Sequence, residues 1–303
     1  MYLESLPEAI MEYLAILLQV LINGILFGTM YGIAAIGLSL IYGTMQIIFI
    51  AQGTIIILAA YGGFWLFELF GMDPYLAAIV VIPGSLILGL GIYQGLFRRV
   101  AGAGKFPSLL IAFGLMALLE NLMSILWTPN PRAIRTDYSA YGILIMGITI
   151  SFTRLMAFIM ALLATIAVRL FLKKTLWGKG VRAASENLES ATLMGITPHR
   201  VNSITFAIGI GLAGLAGIAT ATVYSFDPYF GFVFSLKAMI ALALGGMGSV
   251  NGALCGGILL GVIESMGSFV FTGGWANVIG YAVFLLVLLF KPEGLFVRAS
   301  NNQ

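Results

Sequence analysis

The sequence predicts an all-α integral membrane protein, a polytopic bundle of eight to nine transmembrane helices. Of its 303 residues, 60% are hydrophobic and only 9% are charged, whereas soluble domains carry about 25% charged residues. Residues 13–67 contain no charged side chain. A soluble fold of this size cannot cover its surface with so few polar groups. The apolar runs are continuous rather than alternating, so helices, whose backbone groups bond internally, are expected to cross the bilayer.

The order of the spans follows from the apolar runs, because a membrane-crossing helix needs about 20 apolar residues. Residues 13–67 are long enough for two spans, with a tight connection near 43–53. The stretch 232–271 is interrupted by glycines, so it forms either two spans or one span with a re-entrant or broken helix. The whole chain, 1–303, is expected to form one transmembrane domain. Further spans are predicted at 75–97, 107–127, 153–172, 201–223 and 275–291.

The basic residues predict the orientation of the bundle. They concentrate in two loops that are two spans apart, so both loops are expected on the same side, which the positive-inside rule makes cytoplasmic. The loop with Asp73 then faces outward, as does the acidic N-terminus, which lacks the positive region of a signal peptide. Arg154 and Arg169, near opposite ends of one span, are expected to reach their own interfaces. The two loops carry Arg98, Arg99 and Lys105, and Lys173, Lys174, Lys179, Arg182 and Arg200.

Residues that could carry out catalysis or bind a metal are scarce. The chain has one cysteine, Cys255, and one histidine, His199, so neither a transition-metal site nor a Ser-His-Asp hydrolase is indicated. Residues 102–105 resemble a phosphate-binding loop, but Phe106 follows the lysine where Ser or Thr is required. The sequence has no basic stripe with interleaved aromatic residues, so nucleic-acid binding is not predicted. We therefore expect no enzymatic activity, no cofactor and no metal in this chain.

The longest polar stretch is the predicted cytoplasmic loop 173–200. Part of it, about 184–195, has the pattern of a short amphipathic helix, with Glu186 and Glu189 near its start, where acidic groups complement the helix dipole. Gly195 is a suitable C-terminal stop. This helix is either a docking element for a soluble partner or a connector that lies on the lipid. Its recurring residues are Leu188, Ala191, Thr192 and Leu193.

A few polar residues fall at membrane depth, where each is costly. They are interpreted either as a mildly polar translocation pathway or as groups that bond to neighbouring helices, with Lys237 reaching the interface. Glycines spaced along residues 209–217 are expected to let helices approach closely. The candidate pathway residues are Asn23, Gln52, Glu120, Asn121 and Glu264.

Several segments resemble the permeases of branched-chain amino acid ABC transporters. Residues 184–196 (ASENLESATLMGI) are similar to the "EAA" loop of ABC importer permeases. GLSLIYG at 37–43, IAQG at 50–53, the glycine-rich element at 243–257 with Glu264, and FKPEGLF at 290–296 resemble the family in the same order. Gln52 and Thr54 depart from the family pattern, which usually has His and an acidic residue there. Permeases for urea or short-chain amides share this architecture and stay open as an alternative.

The resemblance implies a permease subunit that works by alternating access in the cytoplasmic (inner) membrane. It implies a second, homologous or identical permease subunit, two cytoplasmic ATP-binding subunits and an extracytoplasmic substrate-binding protein. The coupling role is assigned to Glu186, Glu189, Ala191 and Gly195. Two other classes are weighed against it. An autonomous channel or secondary transporter would need no docking loop, and a membrane enzyme such as an acyltransferase would need a catalytic cluster that the sequence lacks.

Overall fold

The computed structural model describes residues 6–100, 104–145, 148–271, 275–291 and 294–296. Glu4 of the acidic N-terminus, Gly102 of the segment 102–105, and Pro292 and Glu293 of the segment 290–296 lie outside the described residues. The helices are α1 Leu6–Met45, α2 Gln52–Phe70, α3 Pro74–Ile92, α4 Arg98–Val100, α5 Lys105–Trp127, α6 Phe152–Lys174, α7 Leu176–Glu186, α8 Leu188–Leu193, α9 Pro198–Val223, α10 Phe230–Gly245, α11 Val250–Val270 and α12 Trp275–Phe290. The π-helical turn Tyr93–Phe97 joins α3 to α4 without a break.

The predicted helical membrane fold is confirmed. In the described part of the chain, seven helical segments are long and apolar enough to cross a membrane, and α10 and α12 are shorter apolar helices. Together these nine segments fit the predicted eight to nine crossings. The first long apolar run divides where expected, because α1 ends at Met45 and α2 begins at Gln52.

The glycine-interrupted stretch 232–271 forms two helices, α10 and α11. The chain turns between them at Gly246 and Gly248, whose φ angles of 98° and 85° lie in the left-handed region that glycine tolerates. The Ser249 side chain then accepts a hydrogen bond from the Gly252 amide at 3.1 Å and caps α11. Of the alternatives for this segment, two separate helices are the one that the structure shows.

One short hairpin departs from the all-α prediction. Strand β1 (Gly142–Ile145) pairs antiparallel with β2 (Ile148–Ser151), with Gly142 opposite Ser151. This stretch is too short for a span, and its Ile and Thr residues are β-branched, which favours extended backbone. The hairpin was therefore not predicted from the long apolar runs.

Close helix packing around glycine organises the bundle. Helix α1 carries Gly24, Gly28 and Gly32 at four-residue spacing and lies against Gly257 and Gly261 of α11. A Cβ atom at Gly28 would stand 2.5 Å from the Ile258 Cα, and one at Gly261 would stand 2.4 Å from the Gly28 Cα. The two backbones are thus in direct contact, as small residues permit in membrane helices.

The two basic loops meet at one end of the bundle, as predicted. Arg98 at the start of α4 and Arg200 at the start of α9 line the same cavity, beside His199 and Trp177. At the opposite end, the start of α3, the Tyr138 hydroxyl donates to the Asp73 carboxylate at 2.6 Å. The single-domain prediction for 1–303 is compatible with this shared bundle and stays a prediction.

Candidate functional site

The polar loop 173–200 folds into two short helices that pack under the bundle. Helix α7 begins after Thr175, whose hydroxyl accepts a hydrogen bond from the Gly178 amide at 2.9 Å. A Cβ atom at Gly178 would lie 2.6 Å from the Leu172 Cα, so glycine is required for α7 to fold back on α6. Hydrogen bonding at the turn and close backbone contact together fix the direction of α7.

The predicted single helix over about 184–195 is divided in the structure. Helix α7 ends at Glu186, and Asn187 adopts extended backbone and caps α8 by accepting a hydrogen bond from the Ser190 amide at 2.9 Å. Glu186 therefore lies at the C-terminus of α7 and not near the start of a helix, which corrects the prediction. Glu189 lies in the first turn of α8, where its charge complements the helix dipole.

Gly195 ends α8 as expected. Its φ angle is +85°, its amide donates to the Thr192 carbonyl at 3.0 Å, and the Ile196 amide donates to the Ala191 carbonyl at 3.1 Å. This pair of hydrogen bonds is the Schellman arrangement, in which a left-handed residue satisfies the last carbonyls of a helix. Pro198 then begins α9 at its first turn rather than only preventing α8 from continuing.

The loop has an apolar base and an exposed apolar tip. Val181 and Ala184 of α7, Ala191 of α8 and Val201 of α9 form a buried cluster. Ala191 is thus a packing residue that joins α8 to the bundle. At the tip, Leu193 is 90% exposed and Met194 is 85% exposed, and the neighbouring Glu186 and Glu189 are exposed as well.

Gln52 joins three helices. It is fully buried at the start of α2, and its amide nitrogen donates to the Gly209 carbonyl of α9 at 3.2 Å. A Cβ atom at Gly37 of α1 would lie 2.7 Å from that nitrogen. The contacts of Gln52 are therefore those of a residue that joins α1, α2 and α9.

Glu120 and Asn121 face different surroundings although they are adjacent in sequence. The Thr54 hydroxyl donates to Glu120 at 3.3 Å, which joins α2 to α5. Asn121 is exposed and donates to the Ala117 carbonyl of its own helix at 2.7 Å. Only Glu120 of this pair points towards another helix of the chain.

Asn23 receives a hydrogen bond from the Arg154 guanidinium at 2.9 Å. That guanidinium also lies over the Phe27 ring, 4.3 Å from its centroid. Arg154 therefore bonds to α1, and its reach to the membrane interface stays a prediction. A partly buried arginine gains more from an amide and an aromatic face than from an apolar surface.

Glu264 of α11 forms an ion pair with Lys237 of α10. The Lys237 Nζ lies 2.9 Å from Glu264 Oε2, donates to the Tyr31 hydroxyl at 3.0 Å, and the Tyr31 hydroxyl donates to Glu264 Oε2 at 3.0 Å. Lys237 thus bonds to other helices of the bundle, whereas one of the two interpretations of the sequence had it reach the interface. A cavity of about 400 Å³ opens beside the pair.

The structure does not gather the five candidate pathway residues into one site. Asn23, Gln52, Glu120 and Asn121 are absent from the lining of the cavity beside Glu264. Sequence reasoning missed Tyr31 as a third member of the Lys237–Glu264 group. Its signal is a tyrosine at the centre of an apolar helix, where a hydroxyl at membrane depth needs a partner.

No group of three or more His, Cys, Asp or Glu residues that could hold a metal ion occurs in the described part of the chain. His199 is exposed, and its Nδ1 lies 3.4 Å from the Tyr93 hydroxyl. The described part of the chain thus forms a multi-pass membrane bundle with an exposed apolar tip and a largely buried ion pair beside a cavity.

Comparisons with known proteins show to which family the chain is similar. The sequence profile described as "Branched-chain amino acid transport system / permease component" matches residues 20–289. The chain is 31% identical to the high-affinity branched-chain amino acid transport system permease protein BraD of Pseudomonas aeruginosa, over 94% of this chain and 97% of that protein. No solved structure matches it.

Two further relatives show the range of the family. The chain is 30% identical to the high-affinity branched-chain amino acid transport system permease protein LivH of Escherichia coli K12, over 94% of this chain and 97% of that protein. It is also 32% identical to the autoinducer 2 import system permease protein LsrC of Salmonella paratyphi B, over 66% of this chain and 60% of that protein. The chain therefore belongs to the family of permease components of branched-chain amino acid transport systems.

Proposed function

We propose that this chain is the membrane-spanning permease subunit of an ABC importer that moves branched-chain amino acids across the cytoplasmic membrane. Two of the relatives over nearly the full length are named as high-affinity permeases for these substrates. The autoinducer 2 permease, a more partial match, indicates that the architecture alone does not select the substrate. Most of the substrate choice is expected in a separate binding protein.

The observation that carries the proposal is the α7–α8 unit with its exposed tip. Leu193 and Met194 are apolar and almost fully exposed next to the left-handed Gly195. Exposed apolar groups at the end of a rigid element are typical of docking surfaces. The EAA-like loop of an importer permease is expected to insert such a tip into its ATP-binding subunit.

The packed base of this unit supports a mechanical role. Ala191 of α8 is buried against Val181 and Ala184 of α7 and Val201 of α9. A displacement of α8 is therefore transmitted to α9, the most deeply buried of the seven long helical segments. Packed interfaces move as units because interiors are close-packed.

The proposal requires partners. The chain lacks a complete phosphate-binding loop, so ATP hydrolysis is assigned to two cytoplasmic ATP-binding subunits. A second permease subunit completes the membrane unit, and an extracytoplasmic binding protein delivers substrate. The chain itself is not an enzyme in this scheme. Its coupling unit comprises Glu186, Glu189, Leu193, Met194 and Gly195, with Ala191 as the packed link.

The orientation supports the same scheme. The two basic loops lie at one end of the bundle, which the positive-inside rule assigns to the cytoplasm. The α7–α8 unit is part of that end, so its tip faces the compartment that supplies ATP. Asp73, Tyr138 and the hairpin then face outward, where a binding protein docks.

The test compares two double variants of the exposed tip in proteoliposomes with the ATP-binding subunits and binding protein. Leu193→Glu with Met194→Glu is expected to abolish ATP-driven leucine uptake and co-purification of the ATP-binding subunits. The matched control, Leu193→Met with Met194→Leu, keeps the tip apolar and is expected to retain both. Normal uptake by the glutamate variant, or leucine flux through this chain alone without ATP, would contradict the proposal.

A further inference from the structure

The ion pair between Lys237 and Glu264 is an unusual group for the interior of a membrane bundle. It is the one ion pair found among the described residues, and the exposed fractions of the two side chains are 13% and 12%. Taking two charges out of water is expensive, and their attraction repays the cost only when their remaining hydrogen-bonding groups are satisfied. A pair that merely held α10 to α11 would be expected to satisfy them.

Glu264 does not meet that expectation. Lys237 and Tyr31 both bond to its Oε2 atom, whereas its Oε1 atom is buried and has no hydrogen-bond partner in the described part of the chain. An unmet buried carboxylate oxygen is costly. A donor from outside the chain, such as an ammonium group, would remove that cost if the carboxylate turned Oε1 towards it.

The cavity beside the pair has the size and lining of a small-molecule site. Its volume is about 400 Å³, within the range of roughly 300–1,000 Å³ found for ligand pockets. Its wall combines the charged pair with aromatic rings, and the Lys237 ammonium stands 4.9 Å from the centroid of the Tyr31 ring. The aromatic lining residues are Phe27, Tyr31, Tyr224, Phe230 and Phe234.

The two opposite charges of the site favour a zwitterionic ligand. An isolated anion attracted by Lys237 would be repelled by Glu264, and an isolated cation attracted by Glu264 would be repelled by Lys237. A neutral molecule with one ammonium and one carboxylate about two bonds apart complements both charges at once. An apolar side chain on that molecule fits against the aromatic wall.

We propose that Lys237, Glu264 and Tyr31 form a binding site for the zwitterionic head of an amino acid. The ligand ammonium donates to the Glu264 carboxylate once that side chain turns towards the cavity, the ligand carboxylate accepts from the Lys237 ammonium, and Tyr31 holds the two protein groups in place. Tyr31 is a positioning residue, because it bonds to both members of the pair. This inference rests on the proposed function and assigns to it a substrate site within this chain.

The first experiment measures whether ligands protect a thiol in the cavity. Ser268 lines the cavity, so Ser268→Cys, with Cys255→Ala to remove the native thiol, gives one labelling position in the assembled complex. We expect leucine to slow labelling by a charged methanethiosulfonate reagent. 4-Methylpentanoate and 3-methylbutylamine, which keep the side chain and only one charge each, are expected not to. Equal protection by all three, or none by leucine, would overturn the site.

The second experiment separates binding from structural support. Glu264→Gln keeps the size of the side chain and is expected to weaken leucine protection by about tenfold or more, since hydrogen bonds to charged groups carry such factors. The exchanged pair Lys237→Glu with Glu264→Lys restores an ion pair but reverses its direction. We expect it to purify with its ATP-binding subunits and to lose leucine protection.

The outcomes distinguish this inference from the proposed function. If the exchanged pair protects and transports leucine as the unaltered protein does, the ion pair is structural and the inference is wrong. If the exchanged pair fails to assemble, Glu264→Gln decides, because unchanged protection by leucine in that variant also overturns the site. If the unaltered complex imports no branched-chain amino acid under ATP, the proposed function itself fails.

Discussion

The α7–α8 unit and the Lys237–Glu264 group carry most of the polar chemistry of this chain, and they are built in opposite ways. The α7–α8 unit is specified locally, by Thr175, Asn187 and Gly195 acting on backbone groups within three to five residues. The ion pair joins the consecutive helices α10 and α11 across 27 residues, and α1 adds Tyr31, which is 206 residues from Lys237. The α7–α8 unit can therefore move as a rigid body without losing its own hydrogen bonds. The Lys237–Glu264 group, in contrast, depends on how α1, α10 and α11 pack.

The largest effect is expected where that helix packing is broken. Gly28→Leu would drive a side chain into the α11 backbone, where even a Cβ atom would lie 2.5 Å from the Ile258 Cα. Overpacking typically costs about 1–3 kcal/mol and occasionally more, and several contacts with rigid backbone, which cannot move aside, place this variant beyond that range and above the ion-pair variant below. We expect loss of folded protein in a detergent melting assay. Gly114→Leu is the matched control, because nothing lies within 4 Å of a Cβ atom there, and equal losses in both would contradict this packing.

The next largest effect is expected at the ion pair. Lys237→Met leaves the Glu264 carboxylate buried without its cation, and removal of one partner of a buried pair costs about 3–5 kcal/mol. The double variant Lys237→Met with Glu264→Gln removes the uncompensated charge and is expected to recover much of the melting temperature. A double-mutant cycle of melting temperatures measures this coupling. Additive losses would show that the two side chains do not stabilise each other.

A smaller effect on stability, but a clear effect on uptake, is expected at Gly195. Gly195→Val places a β-branched residue at φ +85°, which disturbs the end of α8. Gly195→Asn is the matched control, because asparagine tolerates the left-handed region. We expect ATP-driven uptake to fall strongly in the valine variant and to persist in the asparagine variant, with little change in overall melting. Equal uptake by both would show that the position of the tip is unimportant.

The smallest effect is expected at the cap of α8. Asn187→Ala removes the hydrogen bond to the Ser190 amide, and loss of such a cap costs about 1 kcal/mol. Helix α8 has only six residues, so we expect faster amide hydrogen exchange over 188–193 and a modest decrease in uptake. Asn187→Asp keeps an accepting oxygen and should behave like the unaltered chain. Unchanged exchange in the alanine variant would show that the cap does not hold α8.

The two regions also differ in how far the sequence predicted them. Gly195 as the end of a helix follows from short-range rules, and the structure bears it out. The break at Asn187 was missed because the apolar spacing from Leu188 to Leu193 fits a longer helix as well as a short one. The membrane spans were predicted from their length and apolar character. The short hairpin was not predicted, because its strands are too short to give such a signal.

The membrane contacts were harder to predict, for a physical reason. Lys237 and Glu264 are 27 residues apart and meet only because α10 turns back at Gly246 into α11. Arg154 meets Asn23 across 131 residues of sequence. Such contacts depend on how the helices pack. Glycine spacing predicts which face of a helix makes a close contact, but not which other helix makes it. Gly24, Gly28 and Gly32 did mark the face of α1 that contacts α11, and that signal was available in the sequence.

The central claim is that energy from ATP enters this chain at the tip formed by Leu193 and Met194. The most direct measurement is photo-crosslinking from a benzoyl-phenylalanine placed at Leu193 in intact cells, with Leu69, exposed at the end of α2 near Asp73, as the reference position. The account predicts an adduct between this chain and an ATP-binding subunit from position 193 and none from position 69. Adducts with lipid alone at position 193, or the same ATP-binding subunit captured from both positions, would contradict it.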